Sequence, residues 1–479
     1  MRISNPKPTD RFRTTRETLR TAFRLSHDPL GFLRALPAGG GVVPVRLGPF
    51  EALVVTDPEL TRTVLLDDRV YDKGGALYDR IREITGDGLV SCPHQQHRRQ
   101  RRLLQPAFGR ELTEGHVRTM SAQAGAAARS WSAAGPFDPL VELLALTTRT
   151  LVGTMLSDAL TESRIRQAVE DYSTILKGLY AQAVLPSLLS RLPVPANLRH
   201  RRARARLRST LAEVVAQRRA DGRTDRADLL SALLPGPDAP GGPGEVPFTD
   251  AEICDQLVTF LIAGSETTAV VLAWAVHFLA ADRQLQQRLQ AEVDGLRLDG
   301  RPMDSGDVAA LPLTTNTVTE ALRIRPPGWI FSRLTTRPAM LGEYAVPAGT
   351  TVLYSPYLIH HRADLYPDPE RFDPDRWAPD APGRPQRSAF IPFGAGARRC
   401  IGERFGLAEA VVILATLVSR WQWEELPGSD ARPVAAVSLR PRGLRVLLTE
   451  RTEPIERAEP IEPIERAERT PGSVPAEGM

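Results

Sequence analysis

Cysteine and lysine are the scarce residues of this chain. Only three cysteines, Cys92, Cys254 and Cys400, occur in 479 residues. That excludes a disulfide framework and a paired-cysteine zinc motif, and it fits a reducing cytoplasm. Lysines also number three, Lys7, Lys73 and Lys177, so arginine fills nearly all of the 61 basic positions. Against 57 acidic residues this leaves a formal net charge of +4, too mild for a nucleic-acid footprint. The arginine run at 199–208 (RHRRARARLR) reads as a solvated helix face. The first thirty residues lack the apolar core of a signal peptide, and Pro6, Pro8, Asp10 and Glu17 argue against an organelle-targeting helix.

What is present is an ordinary globular composition, 42% hydrophobic and 25% charged. Short β-rich runs, Val42 to Leu47 and Glu51 to Val55, precede a helix that starts after Asp57 and Pro58. From about residue 95 to 234 the pattern is helical, interrupted at Pro136, Pro186, Pro193 and Pro195. Residues 234–247 (LPGPDAPGGPGEVP) form a loop by composition. Thr249 and Glu252 then make a capping box, and apolar residues recur at helical spacing through Ile253, Leu257, Leu261, Gly264, Thr268, Leu272, Ala275 and Leu279. At 1.5 Å per residue this helix is about 45 Å long. Its stretch from Leu257 to Ala281 is apolar enough for a membrane span. Glu266 at its middle, beside Ser265, Thr267 and Thr268, favours instead a buried helix of a soluble enzyme with no transmembrane segment.

Short β runs return from Pro338 to Pro356, followed by an irregular Pro- and Asp-rich meander from Tyr366 to Pro385. An apolar helix is expected from Phe405 to Trp421 and closing strands from Val437 to Leu448. Residues 1–450 thus read as one domain, mainly α with a small β region. Residues 451–479, rich in Glu, Pro, Ile and Arg and repeating Glu-Pro-Ile-Glu, read as a disordered tail.

Three short motifs carry chemistry. The first is Phe393-Gly-Ala-Gly-Ala-Arg398-Arg-Cys400-Ile-Gly402. A glycine-rich backbone ahead of a helix can aim N–H groups at a cysteine sulfur and stabilise a thiolate there. A lone cysteine is more often structural, and a dinucleotide-binding G-x-G-x-x-G would need glycine where Arg399 stands. The second motif is Glu320-Ala-Leu-Arg323, which alone is an ordinary i,i+3 ion pair. The third is Ala263-Gly-Ser-Glu266-Thr267-Thr268 in the middle of the long helix, which alone is a packing of small residues.

In this order along the chain, together with Arg371 to Trp377 (RFDPDRW), these residues resemble the cytochrome P450 family, up to about residue 450. The resemblance implies a mainly α fold with haem b held between the long central helix and the loop and helix of Cys400, the axial sulfur ligand. It implies that His97, Arg101, Arg333, Phe393 and Arg398 surround the cofactor, the basic ones holding its propionates. Arg98, Arg99 and Arg102 then lie on the outer face, solvated or docking an acidic electron donor. Glu266 and Thr267 become the acid and alcohol pair that delivers protons to dioxygen, with Thr267 bonding back to the Ala263 carbonyl. Glu320 and Arg323 become a structural pair locked by an arginine of the meander, Arg376 or Arg371, with Arg376 preferred.

The expected reaction inserts one atom of O2 into a C–H bond of a hydrophobic small molecule. Pocket residues are sought in the loop from Ala76 to Leu89 and at Phe260, Ala263, Trp329, Ile330, Phe331 and Val437. The stretch Pro326-Pro-Gly-Trp-Ile-Phe-Ser-Arg333 is similar to bacterial enzymes that oxidise terpenes in secondary metabolism. No flavin or nicotinamide motif is present, so ferredoxin and ferredoxin reductase are the expected partners. Two rivals are a peroxide-driven peroxygenase or isomerase, against which Glu266 and Thr267 argue, and a non-catalytic haem sensor.

Overall fold

The computed structural model describes residues 28–451 apart from 38–40, 48–49, 157–160, 185–191, 223–227, 235–245, 299, 383–384 and 387. Pro186, most of the Pro- and Gly-rich segment and the tail after residue 451 lie outside the described residues.

Helices dominate. The longer ones are α1 (Pro58–Leu66), α2 (Ala76–Thr85), α3 (His94–Leu104), α4 (Arg110–Ser130), α5 (Pro139–Leu156), α6 (Glu162–Val184), α7 (Pro195–Asp221), α8 (Asp250–Ala281), α9 (Arg283–Asp294), α10 (Pro312–Ile324) and α11 (Glu403–Arg420). Local chemistry sets their ends. Asp57 caps α1 by accepting from the Leu60 N–H, with Pro58 at the first helical position. Thr249 and Glu252 cap α8 reciprocally, as their spacing foretold.

The strands are β1 (Val42–Leu47), β2 (Phe50–Val55), β3 (Tyr71–Asp72), β4 (Phe331–Thr335), β5 (Ala339–Leu341), β6 (Tyr344–Val346), β7 (Thr351–Tyr354), β8 (Trp421–Glu425), β9 (Arg432–Ala435), β10 (Leu439–Arg442) and β11 (Val446–Glu450). One sheet has the order β1-β2-β7-β4-β3, with β2 and β7 parallel. Pairs β5–β6, β9–β10 and β8–β11 stand apart. Strands β8 and β9 escaped the sequence reading, since two glutamates end β8 and Pro433 interrupts β9. Arg451, read as the first tail residue, belongs to the fold: its N–H bonds the Arg420 carbonyl and its guanidinium pairs with Asp294.

The core is centred on α8. This helix is apolar all round, so it must be surrounded, and 78% of its most apolar window is buried within the fold. The same holds for α5, with 61%. Both are long and apolar enough to cross a membrane, and both are core helices here. Helix α5 comes close to α8 because Gly264 has no side chain: a Cβ there would stand 2.8 Å from Leu151 Cδ2. Thr147 Oγ1 crosses the same interface to donate to the Ser265 carbonyl at 2.9 Å.

Candidate active site

The loop before α11 is held in one shape by its glycines and by a neighbour. Gly394 and Gly396 both have positive φ, +67° and +69°. A Cβ on Gly396 would lie 2.4 Å from the Leu65 carbonyl at the end of α1. The loop closes with the Cys400 N–H donating to the Phe393 carbonyl at 2.9 Å. Cys400 is exposed, yet burial is the main reason its thiol is pushed above the usual range. The Gly402 backbone N–H, Arg101 and Lys73 pull in the opposite direction and favour the thiolate.

Around this sulfur the fold gathers cations from distant segments. Arg398, buried, donates to the Cys92 carbonyl at 2.8 Å and to Asp72 Oδ1 at 2.7 Å, and its Nε has no hydrogen-bond partner. Asp68 stands 3.5 Å from that Nε. Arg333, on β4, donates to the hydroxyls of Tyr78 (3.4 Å) and Tyr354 (3.2 Å). His97, buried on α3, has an unpartnered Nδ1. Burial first, then Arg398, Lys73, Arg101 and His94, push its pKa down to about 2. Arg101 is half-buried and turned toward the cysteine loop, donating to the Arg399 carbonyl at 2.5 Å.

Lys73 was missed in the sequence reading. Its Nζ donates to the Val90 carbonyl at 2.8 Å. Burial, then the charges of Arg333 and Arg398, bring its pKa down to about 7. Lysine is so rare in this chain that one placed between β3 and α2 was itself a signal. Of the three outer arginines expected on α3, Arg99 is not free for a partner: it holds Glu252 at 2.7 Å and the carbonyls of Val246 and Pro247, tying α3 to the start of α8. Arg98 and Arg102 are exposed. The arginine run lies on α7, but two of its members bind neighbouring helices: Arg206 pairs with Asp171 and Arg208 with Asp255.

In the middle of α8, Ala263 and Thr267 are exposed while their neighbours Ser265, Glu266 and Thr268 are buried. One turn apart, the two exposed residues share a face. Thr267 Oγ1 donates to the Ala263 carbonyl at 2.7 Å. Glu266 points elsewhere. It accepts from the Ser438 hydroxyl at 2.6 Å, and burial raises its pKa against the pull of Ser438 and Arg440. The hydrogen bonds of the two side chains go to different partners, Thr267 to backbone carbonyls of α8 and Glu266 to Ser438. Thr268 donates to the Gly264 carbonyl at 3.2 Å and also meets Glu409 of α11. Glu409 is buried, its Oε1 is unpartnered, and burial pushes its pKa up to about 8. Neither Ser438 nor Glu409 was singled out from sequence, because each comes to α8 from a remote segment.

The expected pocket residues fall into several groups. Phe260 packs on Phe108 with ring centroids 5.0 Å apart. Phe331 stacks on Tyr354. Trp329 and Ile330 pack against the helix Pro29–Arg34, and Trp329 Nε1 donates to the Ala436 carbonyl at 2.9 Å. Val437 is exposed beside buried Ser438.

Behind the site, Glu320 and Arg323 are fully buried and bonded through the guanidinium Nε and Nη2, at 2.9 and 2.8 Å. Arg376 Nε stands 3.5 Å from Glu320, and Trp377 Nε1 donates to it at 2.8 Å. Arg371 gives only its carbonyl, to Arg323. His360 joins this pillar to the cysteine loop: its ring meets the Arg323 carbonyl at 3.1 Å, and its Nε2 accepts from the Ile391 N–H at 3.0 Å.

The family model described as Cytochrome P450 matches residues 33–448. The chain belongs to the cytochrome P450 family. Among similar proteins, pentalenene oxygenase of Streptomyces avermitilis is 43% identical over 432 residues, covering 90% of this chain and 95% of that one. Cyclooctat-9-en-7-ol 5-monooxygenase of Streptomyces melanosporofaciens is 41% identical over 402 residues, 84% of this chain and 86% of the relative. Cyclooctatin synthase of the same organism is 38% identical over 427 residues, 89% and 92%. This P450 is a monooxygenase with the mainly helical architecture and small sheets of its family, and the cofactor of the family is haem.

The residues present fit that cofactor. The site offers an accessible sulfur, and its cations, Arg398, Arg333, Lys73 and Arg101, outnumber the two carboxylates Asp68 and Asp72 beside them. Two further carboxylates, such as haem propionates, would balance the cluster and give His97 Nδ1 and Arg398 Nε something to bond.

Proposed function

We propose that this P450 is a haem-thiolate monooxygenase that oxidises a terpene or similar hydrophobic metabolite, in which the Cys400 sulfur would hold the haem iron. The observation that carries the reading is the accessible Cys400 sulfur within electrostatic reach of Lys73 and Arg101, on a glycine loop fixed by Leu65. His97, Arg333, Arg398 and Lys73 would hold the propionates, and Phe393 and the glycines shape the backbone around the sulfur. Bound haem supplies the activation of O2, by which one oxygen atom enters a C–H bond and the other leaves as water after two electrons are delivered.

The chain's own contribution is positioning and proton supply. Thr267 presents its hydroxyl oxygen on the exposed face of α8, with its proton directed to the Ala263 carbonyl, and Glu266 holds the proton that follows. Phe260, Ala263, Trp329, Ile330, Phe331 and Val437 give the substrate an apolar contact surface that binds by area rather than by polar anchors. The terpene assignment rests on the named activities of the Streptomyces relatives. Electrons come from ferredoxin and ferredoxin reductase in the cytoplasm.

The test is spectroscopic. The reduced, CO-treated protein shows the thiolate signature, Cys400→Ser loses it, and pentalenene or cyclooctat-9-en-7-ol shifts the spectrum of the resting protein. A Cys400→Ser protein that keeps the signature overturns the ligand assignment. A terpene panel without any shift overturns the substrate class.

A further inference from the structure

The acid of a proton-delivering pair has to reach the alcohol, and here it is bonded to something else. Glu266 and Thr267 are consecutive on a helix, so their side chains leave the axis about 100° apart. The Glu266 carboxyl is bonded at 2.6 Å to Ser438, which enters from the turn between β9 and β10. Both residues are buried.

The serine cannot follow the carboxyl. Its own carbonyl accepts two backbone N–H groups, from Ala436 and Arg440, each at 3.1 Å. On one side the turn is pinned by Trp274 of α8, whose Nε1 donates to the Leu439 carbonyl at 2.8 Å. On the other, Trp329 Nε1 holds the Ala436 carbonyl, and the Leu439 N–H donates to the Pro327 carbonyl at 3.0 Å. If the bond opens, the glutamate side chain with its three rotatable bonds moves, and the serine stays.

We propose that Ser438 is a positioning residue that parks the Glu266 carboxyl on this turn, away from Thr267, until release lets the carboxyl reach the Thr267 hydroxyl. On release the carboxyl proton passes to Thr267 Oγ1 as the Thr267 hydroxyl proton leaves the Ala263 carbonyl for the O2 being reduced. Glu266 is left as carboxylate and takes its next proton from water. The proposal rests on Glu266 and Thr267 being the delivering pair. It adds a control residue some 170 positions away that contacts neither O2 nor substrate. The groups facing Glu266 from packed elements are Ser438 and Arg440 of the hairpin, which favour the carboxylate, and Tyr172 of α6, whose hydroxyl donates to the Ile262 carbonyl at 3.3 Å.

The experiment uses substrate-free holoenzyme, so it does not depend on knowing the metabolite. Infrared titration follows the C=O stretch of protonated Glu266, assigned by its loss in Glu266→Gln. Ser438→Ala should raise the midpoint by about one pH unit, since it removes a bond to the charged form, and Ser438→Thr should restore it. In parallel, oxygen reduction is driven by a surrogate plant-type ferredoxin and its reductase, and the fraction of electrons recovered as hydrogen peroxide is measured against pH. The alkaline rise of that fraction should move up with the infrared midpoint in Ser438→Ala and return in Ser438→Thr. An unmoved midpoint overturns the tether. A moved midpoint with an unmoved peroxide profile overturns its part in proton delivery. The reduced-CO signature should be the same in all variants. Its absence from the parent protein would instead overturn the haem-thiolate reading.

Discussion

At the scale of single residues, small groups with one polar atom do most of the positioning. Thr267 has its hydroxyl on the Ala263 carbonyl and its face open. Thr267→Ala should keep substrate binding while diverting most reducing equivalents to hydrogen peroxide, as read by product formed per electron consumed, and Thr267→Ser should recover much of the coupling. Glu409 makes a different prediction. Its folded pKa of about 8 lies above the usual carboxylate range, so the folded state binds more protons than the unfolded state between those two values. Stability therefore falls as pH rises from about 4.5 to 8. Glu409→Gln should flatten that fall, with the difference from the parent protein, about a few kcal/mol at most, growing between pH 4.5 and 8 and complete above pH 8 in chemical denaturation. A parent protein with a flat profile over this range would refute a buried, protonated Glu409.

At the scale of elements, the motifs hold because each is fixed by a neighbour from elsewhere. The pair Glu320–Arg323 on α10 is fully buried and completed by Arg376, Trp377 and three carbonyls, those of His360, Pro369 and Arg371. Glu320→Ala leaves an uncompensated buried guanidinium, so it should cost about 3–5 kcal/mol in unfolding free energy. The start of α8 is only a surface cap. Thr249→Ala there should cost about 1 kcal/mol, well short of the first change. The cysteine loop depends on Gly396: with a positive φ and the Leu65 carbonyl in the way, Gly396→Ala should lower haem retention on purification even where helix content by circular dichroism is unchanged.

At the scale of the whole molecule, Asp255 joins three parts that are distant in sequence. It pairs with Arg208 of α7 and accepts the Asp87 N–H at 3.0 Å, and Gly86 leaves it room, since a Cβ there would clash with its carboxylate. The segment from Ala76 to Leu89, where substrate contacts are sought as a loop, is helix α2 as far as Thr85, and its end is thereby fastened to α8. Asp255→Ala should speed both binding and release of an apolar ligand in stopped-flow measurements. Equal rates in the variant and the parent protein would show that this fastening does not limit access.

The sequence by itself determined the family, the glycine-framed cysteine, the capped helix across the molecule and the Glu320–Arg323 pair, because these signals are local: spacing within one turn, a cap, a glycine needed for positive φ. It also showed that α8 belongs in a core, through one carboxylate amid apolar residues. Only the tertiary structure decided which residues meet. Lys73 joins the cation cluster, Ser438 takes Glu266, Glu409 meets Thr268, and Arg99 is spent on Glu252 rather than left for a partner. Those partners lie up to 325 residues apart (Lys73 and Arg398), and no periodicity records them. A hydrogen bond depends on distance in space, and distance in space is set by how the layers pack.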